Sequence, residues 1–402
     1  MDIIRKFYHH LLKKIDKFLL RLCRGENLLL VVFLSGIARK IFLREFSIKK
    51  HNYRNIEELR QLVIIAMKEQ AAELVGNYNK EYNISAGLKI LLVLNLKTSF
   101  EDVWVKTAKN AGFNVDTFDA DKISYFSPDV SNLGVMDQEA GKLLRKVKDF
   151  QPQLILLDVN YLGNPNTINN NFIQEIRKIH NCKIVGHMGD YCSKEAFSIA
   201  QYWLRSLDVV LHSAPGMSSG GLQNFYYIHR FVNEMSFYPS NERRTDIFFS
   251  GSGNISRYVY LAFAKLISKK RKYRCQINVH YHHDSLALSP EEYSRLIRGS
   301  RAVLNLSARP APNVRIVTLR VQEAIASKSL LIEEKNDSIT NIFTPYAHFI
   351  PFDSKKELAI AMDFSVNCGE LVDKITEGAY RKYLREYSSK IIWNQILYLC
   401  KV

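Results

Sequence analysis

Arg320 and Glu323 stand three residues apart in "VTLRVQEAIASKSLLIEE" (Val317–Glu334), on a helical pattern that runs into a short apolar strand pattern. A carboxylate accepts hydrogen bonds from hydroxyls, and a guanidinium offers a planar fork of donors to an anion. In isolation the two read as a surface pair one helical turn apart, worth about 0.2–0.5 kcal/mol. The alternative is that they hold a ligand.

Other stretches carry comparable chemistry. "FSGSGNISR" places Gly251, Ser252 and Gly253 between a strand pattern and a helix N-terminus. Backbone N–H groups there can approach a phosphate closely, and the helix dipole favours the anion. Arg257, in the first turn, is placed to reach the same group, although two glycines also suit a tight strand–helix turn. "GHMGDYC" brings His187 and Asp190 to the tip of another strand, as a base or as an orienter of an acceptor hydroxyl. The plainer reading has Asp190 capping the next helix and His187 packing. In "VHYHHDS", His280 and His282 share one face of a strand, with His283 and Asp284 following. A metal can use such a pair, but solvated edge histidines are commoner, and no metal site is expected.

The elements that must position these residues alternate regularly. "KILLVLNL", "NVDTFDA", "QLILLDVN", "KIVGHM" and "LDVVLHSA" read as strands, separated by helical segments such as "EDVWVKTAKNAG" and "SKEAFSIAQYWLR", the latter opened by Ser193 as cap. "DIFFSGSG", "QINVHY", "AVLNLS", "LLIEE" and "AHFIPF" form a second series, with Ser289 capping "SPEEYSRLIRGS". Near-continuous apolar strands between helices imply parallel sheets covered on both faces. The expected organisation is a helical extension over 1–82 and a Rossmann-like domain over 88–232. A second such domain covers 246–364, and helices over 365–402 complete the chain. Two such halves frame a cleft at their strands' carboxyl ends, where ligands of open α/β sheets bind.

Charge narrows the partners. The 402 residues carry a formal charge of +16, which favours anionic company. Residues 1–50 hold twelve basic and four acidic residues, so 12 − 4 = +8 lies in this segment alone. The excess is interleaved with leucines, and no zinc finger, recognition helix or aromatic–basic RNA motif appears, so nucleic acid is not the expected partner. The run "LLLVVFLSGIA" (Leu28–Ala38) is about half of the ~20 residues a spanning helix needs. Two readings stay open: an interfacial segment on an anionic membrane, or a helix docked on the protein's own core. Six cysteines without C-x-x-C spacing suit a reducing compartment, so the expected location is cytoplasmic, with peripheral attachment to the membrane's inner face as an extension.

The order of pieces resembles two-domain nucleotide-sugar glycosyltransferases of the GT-B fold, in particular the CgeB-like (spore-maturation-protein-like) branch of group 1. "FYPSNERRTDIFFSGSGNISRYVYLAFAKL" resembles that family's linker, glycine turn and arginine-headed helix. "SPEEYSRLIRGSRAVLNLS" resembles its tyrosine-bearing helix and following strand, and "LRVQEAIASKSLLIEE" its Arg-x-x-Glu-Ala-x-Ala helix. The resemblance implies a fold of two Rossmann-like α/β domains and transfer of a hexosyl-type sugar, from UDP or another nucleoside diphosphate, to a cell-envelope glycan, lipid or protein. It implies Glu323 on ribose hydroxyls, Arg320 and the Gly251–Gly253 turn near the diphosphate, and the acceptor near Asp190. No metal or other cofactor is implied, the nucleotide sugar being a co-substrate. The sequence departs from larger relatives in having Arg315 where they carry a second glutamate, and Ser327-Lys328 where a glycine is common. A sugar-nucleotide epimerase on the same fold and a non-catalytic binding protein are the competing readings.

Overall fold

A computed structural model describes residues 52–73, 87–94, 101–119, 133–159, 168–189, 195–214, 221–280, 288–307 and 317–402, with single positions between Lys14 and Leu34. The chain forms two compact units. The first comprises Asn79–Glu234 with Arg385–Val402, the second Met1–Tyr78 with Met235–Leu384.

The first unit is built on a six-stranded parallel sheet in the order β2-β1-β3-β4-β5-β6. Its strands are β1 (Lys89–Leu94), β2 (Asn114–Asp119), β3 (Leu154–Asp158), β4 (Lys183–Met188), β5 (Val209–His212) and β6 (Phe225–Tyr227). Alternate residues of these apolar strands supply two cores: Leu91, Val93, Ile155 and Leu157 on one face, Ile90, Leu92, Leu154 and Leu156 on the other. The C-terminal helix Ser389–Cys400 lays Ile392, Trp393, Ile396 and Leu397 into the second of these cores. Glu234 receives the Ser389 N–H at 2.7 Å and its hydroxyl at 2.6 Å, which satisfies donors in that helix's first turn.

Two features differ from the sequence pattern. "EDVWVKTAKNAG" is not a uniform α-helix: Glu101–Lys106 is π-helical and only Thr107–Asn110 is α-helical. The Thr107 hydroxyl donates back to the Val103 carbonyl and accepts from Trp393 Nε1 at 3.0 Å, so side-chain bonds serve a segment whose backbone ladder is widened. Strand β6, three residues long, is too short to leave a periodicity in sequence.

The second unit holds a five-stranded parallel sheet in the order β11-β10-β9-β7-β8. Its strands are β7 (Thr245–Ser252), β8 (Cys275–His280), β9 (Ser300–Asn305), β10 (Leu330–Glu334) and β11 (Ile350–Phe352). Ile247, Phe249, Ala302, Leu304, Leu330 and Ile332 pack into one core with the helices Ile56–Glu73, Ile255–Arg271 and Lys355–Asn367. Residues of the other parity turn toward the helices Pro290–Arg298 and Arg320–Ala326. Phe248 there lies 6.2 Å from the ring of Tyr293. Ser289 caps its helix as expected, accepting from the Glu292 N–H at 3.2 Å, whereas Ser193 lies outside the described residues. Arg243, in the linker, donates to the carbonyls of Arg298, Ser300 and Lys328 at 2.7–2.9 Å and so ties together the entries of β9 and β10.

The described N-terminal positions also belong to the second unit's core. Leu19, Leu28 and Val31 are buried in the same cluster as Ile247 and Phe249, and Val32 and Leu34 pack against it. Among the described residues no helix is long and apolar enough to cross a membrane.

Candidate functional site

The carboxyl ends of β7, β9 and β10, with the helix Arg320–Ala326, gather polar side chains that the apolar strands cannot need for packing. The helix opens directly on Arg320, so the guanidinium lies beside the strand ends rather than in the core. Its Nη2 donates to the Ser250 carbonyl, its Nη1 donates to Asn305 Oδ1 at 2.7 Å, and its plane lies 5.0 Å from the centroid of Phe249. Arg320 thus crosses the ends of β7 and β9.

Gly251 explains how it fits. A Cβ at that position would meet Arg320 Nη2 at 2.8 Å, so glycine leaves the guanidinium room to lie where it does. Gly253 is equally crowded, since a Cβ would lie 2.8 Å from Val279 Cγ1 and 2.9 Å from the Tyr258 ring. The glycines therefore admit side chains from their own unit.

Glu323 follows one turn later and is buried. Its Oε2 accepts from the Tyr293 hydroxyl at 2.5 Å, a bond between two helices that both pack on this face of the sheet. Burial, reinforced by the Glu323 charge, raises the Tyr293 phenol well above its ordinary range, so it remains a donor through neutral pH.

Asn305 links the strands. Its Oδ1 accepts from Arg320 and from Thr318 Oγ1 at 3.1 Å, while its Nδ2 donates to Glu333 Oε2 at 2.7 Å. The register β9–β10 puts Asn305 directly beside Glu333, so the contact follows from strand pairing. Burial pushes the Glu333 carboxyl up to about 8, against the opposing pull of the Asn305 hydrogen bond and the nearby Ser307 hydroxyl.

The remaining expected residues are placed differently. Arg257 is buried, with Nε donating to the Leu306 carbonyl at 3.0 Å and Nη1 to Ser252 O at 2.8 Å and Ser252 Oγ at 3.1 Å. It holds the ends of β7 and β9 together from the first turn of its helix. Ser252 thus meets Arg257 through both its hydroxyl and its carbonyl. His187 is buried in the first unit, sharing a hydrogen bond between Nε2 and Ser213 Oγ at 3.0 Å, with its ring 4.9 Å from Trp104. Asp190, His282, His283, Asp284 and Arg315 lie outside the described residues. His280 ends β8, and no cluster suited to a metal ion occurs among the described residues.

Sequence reasoning gave no role to Tyr293, Asn305, Thr318 or Glu333. The available signals were one amide inside the apolar "AVLNLS" and two carboxylates closing the apolar "LLIEE". A polar group within a buried strand requires a partner.

Comparison with known proteins agrees with this architecture. A family model described as "Glycosyl transferase-like" matches residues 260–398. The HepE protein of Anabaena, in complex with UDP and glucose, is 12% identical over 78% of this chain and 99% of its own, with a TM-score of 0.51. A glycosyltransferase from Rickettsia africae is 14% identical over 79% and 98% of the two chains, at 0.52. An alpha-glucosyltransferase in complex with UDP-glucose and DNA containing an abasic site is 14% identical over 79% and 100%, at 0.54. No curated protein matches the chain. At such identities the likeness to solved structures establishes architecture, and the chain has the two-sheet α/β fold of GT-B glycosyltransferases.

Proposed function

We propose that this protein is a glycosyltransferase that takes a sugar from a nucleoside diphosphate donor held by its second unit. The carrying observation is the pairing of Arg320, braced across the ends of β7 and β9, with Glu323, oriented by Tyr293, at the carboxyl edge of a parallel sheet. Ligands of open α/β sheets bind at that edge. The glycosyltransferase-like match over residues 260–398 spans both side chains.

In this reading Glu323 accepts hydrogen bonds from the ribose hydroxyls, and Arg320 offsets charge on the departing diphosphate. The guanidinium supplies that compensation without a bound metal, so we propose a metal-independent reaction. The neighbours crystallised with UDP or UDP-glucose make a uridine donor the first to test. A cell-envelope glycan, lipid or protein remains the acceptor class we propose, and the charge of +16 suits work at an anionic surface.

Thermal unfolding of the full chain with UDP, GDP, ADP and their sugars tests the donor. One nucleoside diphosphate at about 100 times its Kd stabilises the wild type by about 2.7 kcal/mol. Glu323→Ala loses that response. Silence of the wild type toward every nucleoside diphosphate sinks the reading. Product analysis with donor alone separates transfer from epimerisation, which yields an isomerised nucleotide sugar without acceptor.

A further inference from the structure

Glu333 has no exposed surface, sits at the end of an apolar strand, and leaves Oε1 without a hydrogen-bond partner among the described residues. An unmatched buried polar atom is destabilising. A leucine there would avoid that cost, so packing alone does not account for a carboxyl group.

Asn305 supplies a reason. Its Oδ1 accepts hydrogen bonds from Arg320 Nη1 and Thr318 Oγ1, and its Nδ2 donates one to Glu333 Oε2. Flipping the amide would set its N–H donors against the donors of Arg320 and Thr318, and its oxygen against the oxygen of Glu333. The donors of Arg320 and Thr318 fix the orientation of the amide, and Glu333 Oε2 supplies the acceptor that its Nδ2 then requires, so the carboxyl anchors the amide on which the guanidinium rests.

We propose that Glu333 is a positioning residue for anion recognition: through the Asn305 amide it holds the Arg320 guanidinium across the ends of β7 and β9, ready for the diphosphate of the donor. The identity of the anion rests on the donor reading above; the link from Glu333 to Arg320 does not.

The charge state of Glu333 then matters to the ligand. The groups facing it are Asn305 at the end of β9, Ser307 just beyond that strand, Arg320 from the helix Arg320–Ala326, and Glu334 beside it in β10. Burial holds the carboxyl at about 8, so near neutrality it is an uncharged acid. Arg320 then offers its full charge to an incoming anion. Above that pH a carboxylate two contacts away competes for it.

Calorimetric titration of the full chain with UDP, repeated at several pH values, reads this out. Wild-type affinity is expected to weaken by about tenfold between about pH 7 and pH 9, equivalent to about 1.4 kcal/mol. Glu333→Gln keeps the acceptor but cannot titrate, so its affinity matches the wild type at neutral pH and stays flat. Glu333→Leu lacks the acceptor and binds weakly at both ends. A ligand-free measurement accompanies these: the rate at which phenylglyoxal modifies Arg320, mapped by mass spectrometry. That rate rises in Glu333→Leu and stays at the wild-type level in Glu333→Gln. Wild-type affinity that ignores pH, or modification rates equal in all three proteins, overturns the proposal. If the wild type binds no nucleoside diphosphate, the donor reading falls, and the modification rates alone decide the positioning link.

Discussion

The Tyr293 hydroxyl and the Glu323 carboxylate, 2.5 Å apart and both buried, constrain one another. The phenol is the donor, since burial and the adjacent charge hold its proton firmly. Tyr293→Phe deletes that donor and leaves a carboxylate oxygen facing an apolar ring. Hydrogen bonds to charged groups contribute about 1.5–3 kcal/mol, so urea unfolding should show a loss of that order with an unchanged m-value. A midpoint equal to wild type would mean that Glu323 is not oriented by this hydroxyl. At this scale the sequence was partly legible. Arg320 and Glu323 stand out as candidates in the sequence because their spacing on one helix is local. Tyr293 and Asn305 do not, because their partners lie 30 and 28 residues away, respectively, across elements that only the fold brings together. Arg257, beside a glycine turn in the sequence, donates to the Leu306 and Ser252 carbonyls, contacts that only the fold brings about.

At the scale of elements, strand identity was readable because parallel strands buried on both faces leave unbroken apolar runs. Strand order was not, since it depends on crossovers between distant segments. The turn after the helix Arg320–Ala326 records a departure with a measurable consequence. Lys328 adopts a left-handed backbone with φ of +50°, at the position where the resembled family commonly carries glycine. An L side chain there costs about 1–2 kcal/mol. The side chain recovers part of this by pairing with Glu377 at 2.5 Å and by lying 4.8 Å from the Tyr380 ring centroid. That ion pair is partly exposed and worth about 0.2–1 kcal/mol after screening. Lys328→Gly should therefore leave stability nearly unchanged in the wild-type background. In a Glu377→Gln background, where the ion pair is already gone, the same substitution should raise the melting temperature by a few degrees. Equal effects in both backgrounds would show that the pair does not offset the backbone strain.

At the scale of the whole molecule, the N-terminal segment joins two properties that sequence alone could not rank. Its twelve basic residues suit an anionic surface, while Leu19, Leu28 and Val31 are buried in the second unit's core. Leu30 and Phe18 are 44% and 53% exposed, so the described positions present one docked side and one open side. Docking and surface binding are therefore compatible, and they separate by face. Val31→Asp places a charge in a packed core and should lower the unfolding free energy by several kcal/mol. Leu30→Asp changes an exposed position and should alter stability by less than about 0.5 kcal/mol. Sedimentation with vesicles of anionic lipid, at low and high salt, completes the test. If the open side meets a membrane, Leu30→Asp reduces vesicle binding while the protein stays folded, and added salt weakens wild-type binding because surface charges are screened. Wild-type protein that ignores anionic vesicles at low salt would assign the segment to docking alone and leave the basic excess to other anionic partners.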